Sequence, residues 1–177
     1  DKNPEEFFEA LGLLEARGVS FRLAVIGQEF RDRPAVFEDA RRRFADRIDH
    51  WGYKSDRREY AEALAWADVV VSTAMFETFG IGVLEAASAG VFPLLPPRLA
   101  YPEIFGPEAP DGSADFFYEP GATRLAERLT GLADRANRGD LWNGDPLRGV
   151  RVASRFRWET LAGPMDDALG RVAGTTR

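Results

Sequence analysis

Cysteine is absent from the 177 residues, and histidine occurs once, at His50. The chain can therefore form neither a disulfide nor a thiolate metal site, and one histidine is too few for a zinc or haem site. Hydrophobic runs are also short. None approaches the roughly 20 apolar residues that a membrane-spanning helix needs, and the first residues lack the pattern of a signal peptide. We expect a cytoplasmic protein with no membrane partner.

Positive charge is in deficit, since 29 acidic residues oppose 23 basic ones and the formal net charge is −6. Proteins that wrap a nucleic acid backbone depend on clustered Lys and Arg, so any nucleic acid contact would come mainly from outside this segment. The length and the hydrophobic share of 45% are typical of one globular domain.

Short runs rich in Val, Ile, Leu and Phe alternate with amphipathic segments along the chain. The runs predict strands at 21–27, 48–53, 68–73, 91–96 and 115–120. The amphipathic segments predict helices at 3–17, 34–46, 56–66, 79–89 and 121–137, with a further helix in the tail after residue 140. This order predicts an α/β fold with a doubly wound, mostly parallel sheet and helices on both faces.

In such a fold a ligand binds in the crevice beyond the carboxyl ends of the strands. No GxGxxG follows any strand, which removes the main sequence support for a dinucleotide-dependent oxidoreductase. The informative junction follows the strand at 68–73, where Glu77 precedes the turn Thr78-Phe79-Gly80 and Glu85 lies eight positions beyond Glu77.

A helix that begins near Phe79 would present the free N–H groups of Phe79, Gly80 and Ile81 to an anion such as a diphosphate. Glu85 would then stand roughly 7–9 Å along the helix axis, within reach of a ribose beside the diphosphate. Glu77 would face the sugar on the other side, because a carboxylate can accept two hydrogen bonds from a vicinal diol. The alternative is that Glu77 only complements the helix dipole and Glu85 is a surface residue.

The segment ETFGIGVLEAASAGVFPL, which contains both glutamates, resembles the glutamate-seven-residues-glutamate signature of the retaining glycosyltransferases of family 4. That resemblance implies the C-terminal, Rossmann-like donor half of a glycosyltransferase with two such domains (GT-B architecture). It also implies that Glu77 contacts the donor sugar, Glu85 the ribose, and the amides of Phe79, Gly80 and Ile81 the diphosphate. Glu77 would orient sugar hydroxyls and is not expected to act as a nucleophile.

Further segments resemble the tRNA-queuosine mannosyltransferase family, among them DKNPEEFFEAL, HWGYKSDRREYAEAL and LAYPEIFG. The resemblance implies that Lys2 contacts the donor diphosphate and acts with Glu77 as catalytic machinery. It implies base contacts from Trp51, Gly52 and Tyr53, although aromatic side chains at a strand end are more often core. It further places Gly27, in the strand-plus-glycine segment FRLAVIG, among the donor-binding residues.

The resemblance implies a nucleotide-diphosphate sugar as donor substrate, with GDP-mannose the expected one, and neither a cofactor nor a metal. It implies queuosine in tRNA as acceptor. A lipid or polysaccharide acceptor, or a non-catalytic nucleotide-sugar-binding fragment, remain alternatives. Residues 1–177 would then be one donor domain truncated at its N-terminus, without the acceptor domain. An arginine before Lys2 and an opening strand of the sheet would lie upstream, so we expect a vacant slot in the sheet and a marginal or self-associating fragment.

Overall fold

The computed structural model describes residues 1–27, 34–106 and 115–174. The strands within these ranges are β1 (Leu23–Ile26), β2 (Ile48–Gly52), β3 (Val69–Val71) and β4 (Phe92–Leu94). The helices are α1 (Pro4–Ala16), α2 (Ala35–Arg43), α3 (Arg57–Trp66), α4 (Ile81–Ser88), α5 (Tyr101–Phe105), α6 (Ala122–Asn137), α7 (Arg148–Ser154) and α8 (Trp158–Gly174).

The alternating order of helices and strands confirms the α/β fold. Local signals set several of the boundaries. Asp56 caps α3 by accepting hydrogen bonds from the N–H groups of Arg58 and Glu59, and Gly121 immediately precedes α6. The predicted helix at 79–89 is wrong at its start, because α4 begins at Ile81. The predicted strand at 115–120 is reduced to a single bridge between Phe117 and Leu95.

Both strand pairs are parallel, as the sequence pattern predicts. β1 pairs with β2 and β3 pairs with β4, and no ladder joins the two pairs in the part of the chain that the structure describes. β1 and β3 therefore have one strand partner each among these residues, whereas Leu95, the residue after β4, also forms a bridge with Phe117. Every residue of β4 is buried, whereas each residue of β3 is partly exposed.

The helices divide into two groups by their contacts. α1 packs against α2 and α6, while α4 packs against α3, α7 and the strands β3 and β4. One continuous core connects these layers, and its largest side chains include Tyr101, Phe44, Phe92, Phe105 and Phe116. The arrangement has helices on both faces of parallel strands, as predicted.

Helix α8 contributes no buried residue to this core. Its apolar side chains at Trp158, Met165, Leu169 and Val172 are exposed. No helix among the described residues combines the length and the apolar content that crossing a membrane requires.

The start of the chain and helix α1 contact the carboxyl ends of two strands. The carbonyl oxygen of Asp1 accepts hydrogen bonds from the N–H groups of Met75 and Phe76, just beyond the carboxyl end of β3. Phe8, in the second turn of α1, stacks on Trp51 near the carboxyl end of β2, with 6.4 Å between the ring centroids. The carboxyl ends of β2 and β3 therefore lie at the same edge, beside the start of α1.

Asp115, in the chain segment between α5 and α6, forms ion pairs with arginines of α6 and α7. Its carboxylate receives hydrogen bonds from Arg135 at 2.8 Å and Arg148 at 2.7 Å and forms a longer contact with Arg128 at 3.3 Å. The carboxylate is only 16% exposed, and Arg135 and Arg148 are 12% and 14% exposed. Burial by itself would raise the pKa of Asp115, but the hydrogen bonds from Arg135 and Arg148 outweigh it and hold the pKa below its ordinary value.

Replacing Asp115 by Asn should lower the free energy of unfolding by about 2–4 kcal/mol at neutral pH, because three guanidinium groups lose their shared counter-charge. A carboxyl whose pKa is lowered by folding stabilises the fold above its ordinary pKa of about 4 and loses that contribution as pH falls through the folded value. The difference in the free energy of unfolding between the variant and the wild type should therefore become smaller at acid pH. Chemical denaturation at neutral and acid pH measures both effects.

A matched control is Asp145→Asn, which removes a carboxylate paired with Arg151 at an exposed position. Exposed pairs contribute little to stability, so this variant should behave nearly like the wild type. Equal losses for the two variants, or a gap for Asp115→Asn that does not change with pH, would show that the buried cluster does not have the stabilising role described.

Candidate functional site

The turn between β3 and α4 is built around the carboxylate of Glu77. One oxygen, Oε2, accepts a hydrogen bond from Nζ of Lys2 at 2.6 Å. The other, Oε1, accepts from the N–H groups of Thr78 at 3.1 Å and Phe79 at 3.3 Å. The hydrogen bond from Lys2 is the main cause that lowers the pKa of Glu77, and the amides of Phe79 and Gly80 add to it against the opposing effect of burial. Glu77 is therefore ionised at neutral pH.

Lys2 reaches this carboxylate because the first residues are anchored by their backbone. Thr73, which is buried, donates its hydroxyl to the carbonyl oxygen of Lys2 at 2.7 Å. The carbonyl oxygen of Asp1 accepts from Met75 and Phe76 at 2.8 and 3.2 Å. The structure thus brings together two predicted site residues, Lys2 and Glu77, that are 75 positions apart.

The backbone of Gly80 explains why α4 begins at Ile81 and not near Phe79, as predicted. Gly80 has φ +83°, a left-handed conformation that favours glycine and lies outside the helix. A Cβ atom at this position would lie 2.8 Å from the ring of Tyr101. Tyr101 is buried and donates its hydroxyl to Ser72 at 2.8 Å, so the ring forms a fixed wall behind the glycine.

The later start changes which amides are available to an anion. The N–H of Phe79 donates to Glu77, and the N–H of Gly80 also stabilises that carboxylate. Among the described residues no acceptor is found for the N–H groups of Ile81 and Gly82, the first two of the helix. Of the three predicted amides only that of Ile81 is therefore open, and Gly82 is an additional candidate that the sequence reasoning missed.

Glu85 lies four residues after Ile81, about 6 Å along the axis of α4. Its Oε2 accepts a hydrogen bond from the hydroxyl of Tyr60 on α3 at 2.8 Å. The side chain is otherwise exposed, and no partner for Oε1 is found among the residues described. Tyr60 is a second residue that the sequence reasoning missed, because a tyrosine in an amphipathic helix carries no signal of its own.

The predicted base-binding residues lie at the end of β2. The ring of Trp51 packs in an aromatic cluster with Phe8 and Phe37, so its side chain has the core role that was the alternative. Gly52 accepts a hydrogen bond from the N–H of Gly27, which places these two glycines side by side at the carboxyl edge. Tyr53 is 65% exposed directly beyond them. Tyr53 and the backbone around Gly52 therefore remain the candidates for contact with a base.

The side chain of His50 packs against another aromatic ring. Its ring packs edge to face on Trp66, with 5.3 Å between the centroids. Within the described ranges, no three His, Asp or Glu side chains lie close enough together to hold a metal ion.

A cavity of about 540 Å³ lies away from this site. It is lined by Asp68, directly before β3, by Gly90, two positions before β4, and by Trp142. The cavity is thus at the amino ends of these strands, opposite the turn that holds Glu77. Its lining lacks the combination of a cation and open helix amides that surrounds Glu77.

Comparison with known proteins identifies the family of the chain. Residues 1–138 match the sequence family described as Glycosyl transferases group 1. Over 108 residues the chain is 36% identical to a tRNA-queuosine alpha-mannosyltransferase of Drosophila melanogaster, a match that covers 61% of this chain and 28% of the relative. It is 29% identical over 178 residues to a GDP-mannose-dependent alpha-(1-6)-phosphatidylinositol dimannoside mannosyltransferase of Mycobacterium tuberculosis, covering 100% of this chain and 43% of the relative.

Two solved structures share the fold. Sucrose-phosphate synthase from Thermosynechococcus elongatus superposes with a TM-score of 0.71 at 21% identity, covering 96% of this chain and 43% of that one. The catalytic domain of cholesterol-alpha-glucosyltransferase from Helicobacter pylori gives a TM-score of 0.54 at 18% identity, covering 91% of this chain and 90% of that one.

The chain spans less than half the length of the curated relatives described above. The family match covers well over half of the chain and includes Lys2, Glu77 and Glu85. This chain therefore belongs to the glycosyl transferases group 1 family.

Proposed function

We propose that residues 1–177 form the donor-binding domain of a retaining mannosyltransferase that takes GDP-mannose as donor. The observation that carries the proposal is the meeting of Lys2, Glu77 and the open amides of α4 at the carboxyl edge of the strands. A cation beside unpaired helix N–H groups is suited to a diphosphate. In this proposal the acceptor domain lies in another part of a longer protein.

The donor would lie along this edge in a defined order. The diphosphate would accept hydrogen bonds from the N–H groups of Ile81 and Gly82 and would draw Lys2 away from Glu77. The ribose would reach Glu85, and the base would lie near Gly52 and Tyr53. Glu77, freed from Lys2, would accept hydrogen bonds from the hydroxyls of the sugar.

The proposed chemistry is electrostatic on this side of the reaction. The bond between the sugar C1 and the diphosphate oxygen breaks, and a bond from C1 to the acceptor oxygen forms on the same face. A phosphate oxygen takes the proton of the acceptor hydroxyl. Lys2 and the amides of α4 would stabilise the negative charge that builds on the leaving diphosphate.

GDP-mannose is the proposed donor because the relative from M. tuberculosis is named as dependent on it and the relative from D. melanogaster is named as a mannosyltransferase. Queuosine in tRNA is the proposed acceptor, because the relative from D. melanogaster is named as a tRNA-queuosine mannosyltransferase. The net charge of −6 assigns the main tRNA contact to another part of the protein. A lipid acceptor is the second candidate, since the relative from M. tuberculosis is named for phosphatidylinositol dimannoside.

Replacing Glu85 by Gln should weaken the binding of GDP by roughly 1–3 kcal/mol, because a ribose hydroxyl loses a charged hydrogen-bond partner. Isothermal titration of the wild type and the variant with GDP measures the difference. Glu62→Gln is the matched control, since Glu62 is exposed on α3 and pairs with Arg58. If Glu85→Gln binds GDP as tightly as the wild type and the Glu62 control, Glu85 does not bind the ribose.

Replacing Glu77 by Gln should affect GDP-mannose and GDP differently. The sugar loses its carboxylate partner, so binding of GDP-mannose should weaken. Lys2 loses the counter-ion that holds it at 2.6 Å, so bare GDP should bind at least as tightly as before. Parallel titrations with the two ligands test this, and equal losses for both would remove Glu77 from the sugar pocket.

A further inference from the structure

Two helices meet at the proposed ribose carboxylate. Tyr60 in the first turn of α3 donates its hydroxyl to Oε2 of Glu85 in the second turn of α4, at 2.8 Å. The two residues are 25 positions apart, so the contact depends on how the helices pack. Asp56 fixes the start of α3, and Ala63, one turn after Tyr60, is buried. Tyr60 is therefore held on a fixed element.

Glu85 needs such a partner because its side chain is exposed. A free glutamate side chain has several rotatable bonds, and a ligand that fixes them must offset the lost conformational entropy. The hydrogen bond from Tyr60 selects one orientation before any ligand arrives. It engages Oε2 alone, and Oε1 has no partner among the described residues.

The hydroxyl of Tyr60 keeps its proton under physiological conditions. Burial, and then the hydrogen bond to Glu85, raise the pKa of Tyr60 to about 12. A phenol that stays protonated beside a carboxylate is a permanent donor to it. The lone pairs on Oε1 therefore remain available to two neighbouring hydroxyl groups.

We propose that Tyr60 is a positioning residue that holds the Glu85 carboxylate toward the vicinal hydroxyls of the donor ribose, and so makes the site prefer ribonucleotides. This inference rests on the proposed function, in which Glu85 binds the ribose. Tyr60 acts through Glu85 and does not itself contact the donor. Its contribution should thus appear only with ligands that carry the two hydroxyls.

The test compares GDP with 2′,3′-dideoxy-GDP in titrations of the 177-residue chain. For Tyr60→Phe, GDP should bind about 3- to 10-fold more weakly than to the wild type, as expected for the loss of one hydrogen bond. The dideoxy analogue should bind both proteins equally. In a Glu85→Gln background, the Tyr60→Phe change should have no further effect on either ligand.

Tyr118→Phe is the matched control. Tyr118 precedes α6, and its hydroxyl also contacts a glutamate, Glu6 on α1 at 3.2 Å, together with the carbonyl oxygen of Ser72 at 3.0 Å, but neither contact includes Glu85. The preference of the control for GDP over the dideoxy analogue should equal that of the wild type. Thermal unfolding of each variant checks that it is folded.

The outcomes separate the two claims. If the wild type prefers GDP and Glu85→Gln abolishes that preference while Tyr60→Phe retains it, the role of Tyr60 is overturned and the proposed function stands. Equal weakening of both ligands by Tyr60→Phe also overturns it, since that result indicates a structural role alone. If the wild type binds neither ligand, or binds both equally, the ribose role of Glu85 fails and the inference about Tyr60 fails with it.

Discussion

The hydrogen-bonded ion pair between Lys2 and Glu77 is the interaction around which the rest of the site is arranged. It joins the first residues of the chain to the turn after β3, and hydrogen bonds from the hydroxyl of Thr73 and the N–H groups of Met75 and Phe76 hold the same segment in place. Lys2 is 66% exposed and Glu77 19%, so the contact lies at the surface, where a ligand can compete for it. An anion placed there meets a cation whose present counter-ion is a single carboxylate.

The geometry of Gly80 decides what such an anion would encounter. Gly80 has a left-handed backbone with Tyr101 directly behind it, and the helix starts after it at Ile81. The amides of Thr78 and Phe79, before Gly80, donate to Glu77. The carboxylate of Glu77 thus occupies the amides that precede the helix, while those at the helix start stay open. Carboxylate and diphosphate would have separate sets of N–H donors, which allows both to be held at once.

Periodicity and turn chemistry were sufficient to predict the alternation of strands and helices, because each element carries its own pattern. The predicted helix at 56–66 is close to α3, which Asp56 caps. The start of α4 could not be placed in the same way, since the clash that excludes a side chain at Gly80 comes from Tyr101, which is remote in sequence. The contact of Tyr60 with Glu85 depends on helix packing and has no local signal. That Lys2 and Glu77 belong to one site was implied only by resemblance to a family, and the hydrogen bond between them was not predicted.

The central claim is that the turn between β3 and α4 binds the diphosphate of a nucleotide sugar, and mapping of backbone amide chemical shifts during titration with GDP-mannose tests it most directly. The largest changes should occur at Ile81 and Gly82, with Lys2 and Glu77 also affected. Changes concentrated instead around the cavity lined by Asp68, Gly90 and Trp142, at the opposite ends of the strands, would contradict it.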